Sequence, residues 1–371
     1  MNDNQLSTTE TRRGLGRKAV CSALPALAVA NAACVTSDRY STAARGLRRP
    51  VGENLDQPVL LRELVRCATL AANAHNTQAW TFELSPDAIS IRPNFSRRTP
   101  VVDPDEHHIW TSLGCAAENL IISGAALGRH GDLVFERGAV RVLLDRASPV
   151  RSPLANAIFR RQCSRTEYDG KPVPAAALAQ MLGSAGGAGV QILIFTERAA
   201  VEHVIEYVTE GNSAQLRNPA FVKELKSWVR FNDADALATG DGLLSRTTGN
   251  PSLPRWLGNA LFSLILSGKT ENEKYAKLLR SSGGVAVFVG ERAEPSSWFA
   301  VGRAYERFAL TATSLGVRTA FVNQPVEVPA VRFQFANWLG LGSRRPDLVV
   351  RFGMGPESPY SLRRPVGDVI L

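Results

Sequence analysis

Two widely separated stretches of the chain place apolar residues at helical intervals. In the later one, Val301, Ala304, Tyr305, Phe308, Ala312 and Leu315 fall on one periodic face, and Gly316 follows as a residue suited to a left-handed C-terminal cap. The earlier stretch carries matching markers. Gly114, Ala116, Glu118, Leu127 and Gly128 recur as Gly302, Ala304, Glu306, Leu315 and Gly316, each pair offset by 188 positions. Both stretches predict a buried helix that ends at glycine, and the common offset predicts an internal repeat.

A second correspondence lies upstream of each. Pro58-Val59 opens an alanine- and leucine-rich helix through Ala72, and Pro172-Val173 opens a similar one through Ala185. Each leads through a small-residue loop into a strand, Trp80 to Leu84 and Gln191 to Phe195. The first loop, Asn73-Ala74-His75-Asn76-Thr77-Gln78-Ala79-Trp80, is rich in side-chain hydrogen-bonding groups, whereas Gly186-Gly187-Ala188-Gly189-Val190 has none. The asymmetry reverses further on: Arg160-Arg161-Gln162-Cys163-Ser164-Arg165-Thr166-Glu167-Tyr168 has no good counterpart before Pro58. Further strands are predicted at Ile89 to Arg92, Val140 to Leu144, Val285 to Val289 and Leu348 to Phe352, giving an α+β arrangement. The segments read as 1–35, an address; 36–57, a linker; 58–150, a first half; and 151–371, a second half. Within the latter, 241–283 reads either as a lid or as an ordinary core helix with its flanking loops.

Composition supports a folded, globular chain: 371 residues are 44% hydrophobic and 21% charged, enough for a buried core. The net charge of +9 and pI near 9.6, carried mainly by arginine, suit anionic partners. No aromatic-interleaved basic stretch or zinc-finger spacing is present, so no nucleic-acid partner is expected. Cys21, Cys34, Cys67, Cys115 and Cys163 form no C-x-x-C pair, which argues against a zinc site or a disulfide framework. Cys115 and Cys163 read as small core or loop residues. There is no Gly-x-Ser-x-Gly elbow and no P-loop.

Thr11-Arg12-Arg13-Gly14-Leu15-Gly16-Arg17-Lys18 precedes a weakly apolar run from Ala19 to Val35 that is too short and alanine-rich to span a bilayer. It resembles a twin-arginine export signal, which implies the twin-arginine machinery as a partner and a periplasmic or otherwise exported location. The alternative is a basic tail on a cytoplasmic protein. Cys34 stands near a lipoprotein-like position, but Asn31 occupies the place of an aliphatic residue.

Four ordered motifs carry a further resemblance. Ala71 to Trp80 resembles the Ala-Pro-Ser-x-His-Asn-Thr-Gln-Pro-Trp signature of nitroreductases, especially their double-length, Acg-type FMN-binding branch. Arg160-Arg161-x-x-x-Arg165-x-x-Tyr168 with Pro172-Val173-Pro174 resembles the family's arginine segment; Asn323-Gln324-Pro325-Val326-Glu327 and Ser361-Leu362-Arg363-Arg364-Pro365-Val366 resemble two later blocks. Three positions depart from the pattern: Ala72 and Ala79 replace prolines, and Asn73 replaces serine.

The resemblance implies a nitroreductase-like fold in which two diverged copies form an internal pseudo-dimer, a monomer imitating a homodimer. In the family the FMN site lies between subunits. Carried over, one site combines Asn73, His75, Asn76 and Gln78 of the first half with Arg160, Arg161, Arg165, Asn323, Gln324 and Arg363 of the second, and Asn232 is a weaker candidate. The complementary site lacks both halves, so one FMN per chain is expected. Guanidinium groups of Arg161, Arg165 and Arg363 suit the phosphate, and amides such as Asn76, Asn323 and Gln324 suit the polar edge of the ring. NADPH or NADH is the implied co-substrate, and a small-molecule electron acceptor such as a nitroaromatic or quinone the implied partner. The twin-arginine route, which exports proteins already folded around cofactors, agrees with this.

His75 reads as a structural loop residue, since hydride chemistry resides in the flavin. His107-His108 reads as a solvated pair and Trp80 as core. Glu118 and Glu306 read as helix-end or interface groups, with no metal implied. Besides a reductase, the sequence admits an FMN-sequestering protein whose lid blocks the ring, and an exported binding protein whose flavin site has decayed.

Overall fold

The computed structural model describes residues 35–136, 138–187 and 189–371. The twin-arginine-like stretch with Cys21 and Cys34 lies outside the described residues. Helix α1 covers 35–47, where the sequence suggests only a linker. Its apolar face is short, Tyr40 and Ala44 one turn apart, and is buried against Ala236, Leu244 and Leu362 from far along the chain. The Tyr40 hydroxyl donates to the Tyr360 carbonyl at 2.6 Å, so α1 binds the C-terminal segment.

The first unit runs α2 (Gln57–Thr69), β1 (Trp80–Ser85), β2 (Ala88–Pro93), α3 (His107–Ala126), β3 (Arg129–Glu136) and β4 (Ala139–Arg146). Asp56 caps α2 by accepting from the Val59 N–H, and Pro58 in the first turn removes a donor that would otherwise lack a partner. Its buried stripe of Leu60, Leu61, Leu64, Val65 and Ala68 follows the helical period. After α4 (Pro153–Ile158), the second unit runs α5 (Ala175–Ala185), β5 (Val190–Phe195), β8 (Gly284–Gly290), α11 (Pro295–Ser314), β9 (Val317–Phe321) and β10 (Leu348–Met354). The two four-stranded sheets have orders β1-β2-β4-β3 and β5-β8-β10-β9, and every pairing in them is antiparallel. The order of elements and of strands is therefore the same in both units. Gly128 and Gly316 close α3 and α11 with φ of 74° and 78°, the left-handed conformation that glycine tolerates.

The units differ in what is inserted. Between β5 and β8 lie α6 (Arg198–Arg217), α7 (Pro219–Trp228), the short parallel pair β6 (Val229–Arg230) and β7 (Leu243–Leu244) flanking α8 (Asp233–Thr239), then α9 (Arg255–Ile265) and α10 (Gly268–Arg280). Between β9 and β10 lie α12 (Gln324–Glu327) and α13 (Pro329–Trp338). Of these, α6, α10, α12 and α13 cover the outer face of the second sheet, where Val285, Val287, Val289 and Val349 pack with Val204, Val208 and Phe335; the alternate residues Ala286, Phe288, Val350 and Phe352 join the core shared with α11. Strand β8 is thus buried on both faces, which is why it reads as a continuous apolar run rather than an alternating one.

Helices α3 and α11 cross at the centre of the molecule. A Cβ on Gly114 would lie 2.0 Å from the Phe299 carbonyl oxygen, and one on Gly302 would lie 1.9 Å from that of Thr111. Since 111 and 299 are themselves 188 apart, as are 114 and 302, each helix presents the same patch to the other. Glu118, fully buried, is paired across the crossing with Arg303 and Arg307. At the far end of the chain the Phe82 N–H donates to the Val369 carbonyl and the Leu371 N–H to the Phe82 carbonyl. The C-terminus of the second unit thereby extends the edge of the first sheet, and this brings Arg363 to the end of α2.

Candidate functional site

The turn that follows α2 holds three of the five residues other than glycine that have positive φ among the described residues. His75, Asn76 and Gln78 have φ of 47°, 54° and 52°, in the left-handed region that side chains other than glycine rarely adopt. Each such residue costs on the order of 1–3 kcal/mol and persists only where its surroundings over-determine it. Side chains of the turn supply part of that determination. Asn73 Oδ1 accepts from the Gln78 N–H at 2.9 Å; Asn76 Nδ2 donates to the carbonyls of Gly242 and Leu362; Gln78 Nε2 donates to the Gly240 carbonyl and its Oε1 accepts from the Arg364 N–H.

Two arginines supply the rest, and this corrects the expected phosphate cluster. Arg363, buried, donates to the carbonyls of Thr69, Leu70 and Ala71, to the Leu362 carbonyl and to Asn76 Oδ1. Arg161, also buried, donates to the Leu70 carbonyl at 2.8 Å and pairs with Glu306 at 2.9 Å. Glu306 in turn accepts from the Ala72 N–H. These guanidinium groups satisfy the free carbonyls at the C-terminal end of α2, where a cation is also favoured by the helix dipole, and neither lines the cavity that the other predicted residues share. Asn76 and Gln78 are likewise spent on backbone partners rather than turned to a ligand. Arg160 is exposed and outside the cavity wall, and Asn232 caps α8 by accepting from the Asp235 N–H.

The other predicted residues converge. A cavity of about 280 Å³ is lined by Asn73, Ala74 and His75 of the turn, by His108, Thr111, Ser112 and Cys115 of α3, and from the second unit by Arg165, Asn323 and Gln324. Its volume is close to the lower end of typical ligand pockets. The apolar part of its wall comes from the insertion, including Phe221, Leu225, Phe231 and Phe262. Of the stretch 241–283, α9 lies over the cavity, with Phe262 edge-on to Phe231 at 6.0 Å and the Trp256 side chain outside, 71% exposed. Gly258 makes this closure feasible, because a Cβ there would lie 2.3 Å from the Phe231 ring. Helix α10 joins the core through fully buried Leu279 and lines the cavity with Glu271, Lys274 and Tyr275.

Several polar groups on the wall are unspent. Arg165 has no hydrogen-bonding or ionic partner among the described residues, while His75 Nδ1 and Gln324 Oε1 are buried without a partner. Such groups carry a desolvation cost unless something in the cavity meets them. Lys274 adds a second cation, 3.7 Å from Glu271. Arg351 also reaches the wall, but its donors are taken by the carbonyls of Ser164, Thr166 and Leu278. Asn323, also on the wall, accepts at Oδ1 from the Val349 N–H, and its amide N–H groups have no hydrogen-bond partner among the described residues.

The expected solvated pair His107-His108 is instead buried, because α3 is enclosed on all sides and its polar residues are paired inside. His107 Nε2 lies 3.3 Å from Asp347, and His108 Nε2 lies 3.4 Å from Glu327, whose other oxygen accepts from Gln215 Nε2 at 2.6 Å. Burial opposes the charged imidazole of His108, but the hydrogen bond to Glu327 and the charge of Asp103 outweigh it and raise its pKa above the usual histidine value. Burial likewise pushes Glu327 up, and His108, His75 and Gln215 together bring it below the usual carboxylate range. His75 differs: burial dominates and holds its imidazole neutral. Cys115, whose thiol donates to the Gly302 carbonyl, is pushed up by burial and is no nucleophile. His108, Glu327, Gln215 and Lys274 were not foreseen as site residues; Glu327 alone carried a signal, as the last residue of the Asn323 block.

No family model matches the chain. It is similar to two curated Mycobacterium tuberculosis proteins, "Putative NAD(P)H nitroreductase Rv3131" and "Putative NAD(P)H nitroreductase MT3217", at 24% identity over 351 residues, covering 89% of this chain and 96% of theirs. Among solved structures, a nitroreductase with bound FMN from Bacteroides fragilis aligns at 15% identity and a TM-score of 0.36, covering 58% of this chain and 95% of its own. An iodotyrosine deiodinase bound to FMN and 3-iodo-L-tyrosine aligns at 13% identity and a TM-score of 0.38, covering 57% of this chain and 95% of its own. These two structural likenesses are too weak to bear weight. The full-length relatives, with the ordered motifs, support a place for the chain in the nitroreductase superfamily with an α+β fold of nitroreductase type.

Proposed function

We propose that the chain is an FMN-dependent oxidoreductase that takes hydride from NADPH or NADH and passes it to a nitroaromatic, quinone or similar acceptor. The observation that carries this is the cavity between the two units, lined by Arg165, which has no hydrogen-bonding or ionic partner among the described residues, and by His75 and Gln324, three polar side chains that a ligand has to satisfy. An anionic tail with a flat, polar-edged ring meets those three needs at once, and FMN is the group that the motifs imply. Bound there, FMN would supply the hydride chemistry. The chain's own part is to orient and to exclude water: Arg165 would hold the phosphate, with Lys274 a second cation among the lining residues; Gln324 and Asn323 would meet ring edges; the strained turn fixes His75 among the lining residues; and Phe231 with Phe262 closes the apolar side.

The identical element order in the two units, and the crossing in which Gly114 and Gly302 each meet the other's helix, support a chain that imitates a homodimer. The bare glycine loop before β5 supports one flavin rather than two. For an exported protein, the basic N-terminal segment would be the address.

One observation favours a second reading, an FMN-sequestering protein: α9 contributes Gly258 and Phe262 to the cavity wall, a cover that would restrict access to a bound ring. An absorbance spectrum of the purified protein, followed by anaerobic NADPH or NADH, separates the two. Yellow protein that bleaches is the result expected of a reductase, and yellow protein that stays oxidised points to storage. Colourless protein that cannot be reconstituted with FMN contradicts both.

A further inference from the structure

An acceptor that takes one hydride must also take one proton. A quinone gains H⁻ and H⁺ to become a hydroquinone; a nitro group gains H⁻ and H⁺ to become nitroso with loss of water. The cavity wall is apolar over much of its extent and covered by α9, so the origin of that proton is a question the chain's residues must answer.

The candidates on the wall can be sorted by chemistry. His75 is held neutral by burial and has no proton to give from a charged ring. Tyr275 is pushed up to about 12 by burial, too weak an acid near neutral pH. Cys115 is likewise pushed up, and its S–H is already committed to a carbonyl. Arg165 is a guanidinium, which keeps its proton, and Glu271 is paired with Lys274. His108 remains. It is a buried imidazole on the wall, held 3.4 Å from Glu327, with its charged form favoured.

A second observation, independent of that pair, concerns resupply. Glu327 and Gln215 line the main cavity and also a smaller one of about 130 Å³, bounded by Val101, Val102 and the exposed residues Asn218 and Pro329. Glu327 therefore stands between the smaller cavity and the imidazole on the wall of the larger one.

We propose that His108 is the acid that gives the accompanying proton to an acceptor bound in this cavity, and that Glu327, positioned by Gln215, orients it and returns a proton to it from the smaller surface cavity. This rests on the oxidoreductase reading above. In each turnover the imidazolium N–H bond breaks, the proton goes to the acceptor oxygen, and a solvent proton arriving by way of Glu327 restores the imidazolium; the electron pair arrives with the hydride from the reduced nicotinamide. The groups facing His108 are Glu327 from α12, Asp103 and Arg345 from adjoining loops, His75 from the turn after α2, and His107 on its own helix. Only Glu327 and Asp103 are anionic, and Asp103 is committed to the backbone N–H groups of His108 and Ile109.

The test uses the full chain loaded with FMN, with NADPH as donor and a water-soluble quinone as acceptor. His108→Gln is expected to slow quinone reduction at least about a hundredfold more than it slows bleaching by NADPH, within the range of general acid catalysis. Wild-type quinone reduction is expected to fall as pH rises through the His108 pKa, and in Glu327→Gln that fall is expected to move to lower pH. Histidine NMR on the same proteins gives a readout that does not depend on turnover: the wild-type His108 resonance should titrate above the ordinary histidine value, and in Glu327→Gln below it. A flavin-bearing chain whose His108→Gln variant reduces quinone as fast as wild type, or whose His108 titration ignores Glu327→Gln, overturns this inference alone and assigns the proton to water. A chain that holds no flavin overturns both this inference and the function on which it rests.

Discussion

Gly302→Ala is expected to lower the urea-unfolding midpoint sharply and to empty the flavin site. The added methyl would lie 1.9 Å from the Thr111 carbonyl oxygen, which is backbone of a fully enclosed helix and has no flexible end to move aside. Overpacking of a tight core costs about 1–3 kcal/mol, and the upper end or beyond is expected here because two backbones must separate. The consequence reaches the cavity directly, since Thr111, Ser112 and Cys115 on the displaced face of α3 line it. Gly183→Ala is the control. It sits in α5 with nothing within 4 Å of the added methyl, and gains about 0.5–1 kcal/mol from helix propensity. Equal midpoints for the two variants would mean that the crossing is looser than its geometry implies.

Arg363→Met is expected to destabilise the chain by about 3–5 kcal/mol and to release FMN. Two effects oppose each other. Arg363 is a costly cation: burial, with Arg48 and Arg161 nearby, holds its pKa well below the usual range, so removing the charge brings some relief. Against this, the substitution strips partners from the Thr69 carbonyl and from Asn76 Oδ1, both buried, at about 1–3 kcal/mol each. The orphaned acceptors outweigh the relief. Loss of the Asn76 partner also frees a turn with three left-handed side-chain-bearing residues, so His75 should leave its place on the wall. A variant that unfolds with the wild-type midpoint and keeps FMN would contradict the clamp.

The sequence and the structure part company in an instructive way over those arginines. A guanidinium fork that grips a phosphate and one that caps a helix C-terminus want the same residue type, and spacing does not distinguish them. The decision was made by the chain's far end, where Val369 and Leu371 pair with Phe82 and draw Arg363 onto the carbonyls of α2. No local pattern carries a contact across 294 positions. By contrast, α3 and α11 were legible from their repeated glycines and small apolar residues at helical spacing, and the strands at 80–85, 88–93, 139–146, 190–195, 284–290 and 348–354 from short apolar or alternating runs. His107 and His108 were misread for a related reason: on a helix buried on every side, polar residues give no amphipathic signal, and their partners Asp347 and Glu327 lie in the other unit. Helix α1 escaped notice because two residues, Tyr40 and Ala44, make a face too short to stand out. Of the residues singled out in the sequence, Asn73, His75, Arg165, Asn323 and Gln324 line the cavity, while Arg161 and Arg363 lie on the carbonyls at the end of α2.

Titration of FMN into the flavin-stripped chain, followed by quenching of flavin fluorescence, reads that arrangement most directly. One flavin per chain is predicted for wild type, and Arg165→Ala should bind about ten- to a hundredfold more weakly, the worth of roughly 1.5–3 kcal/mol of charge-assisted hydrogen bonding. Saturation at two flavins, no binding at all, or an affinity indifferent to Arg165 would contradict a single site shared by the two units.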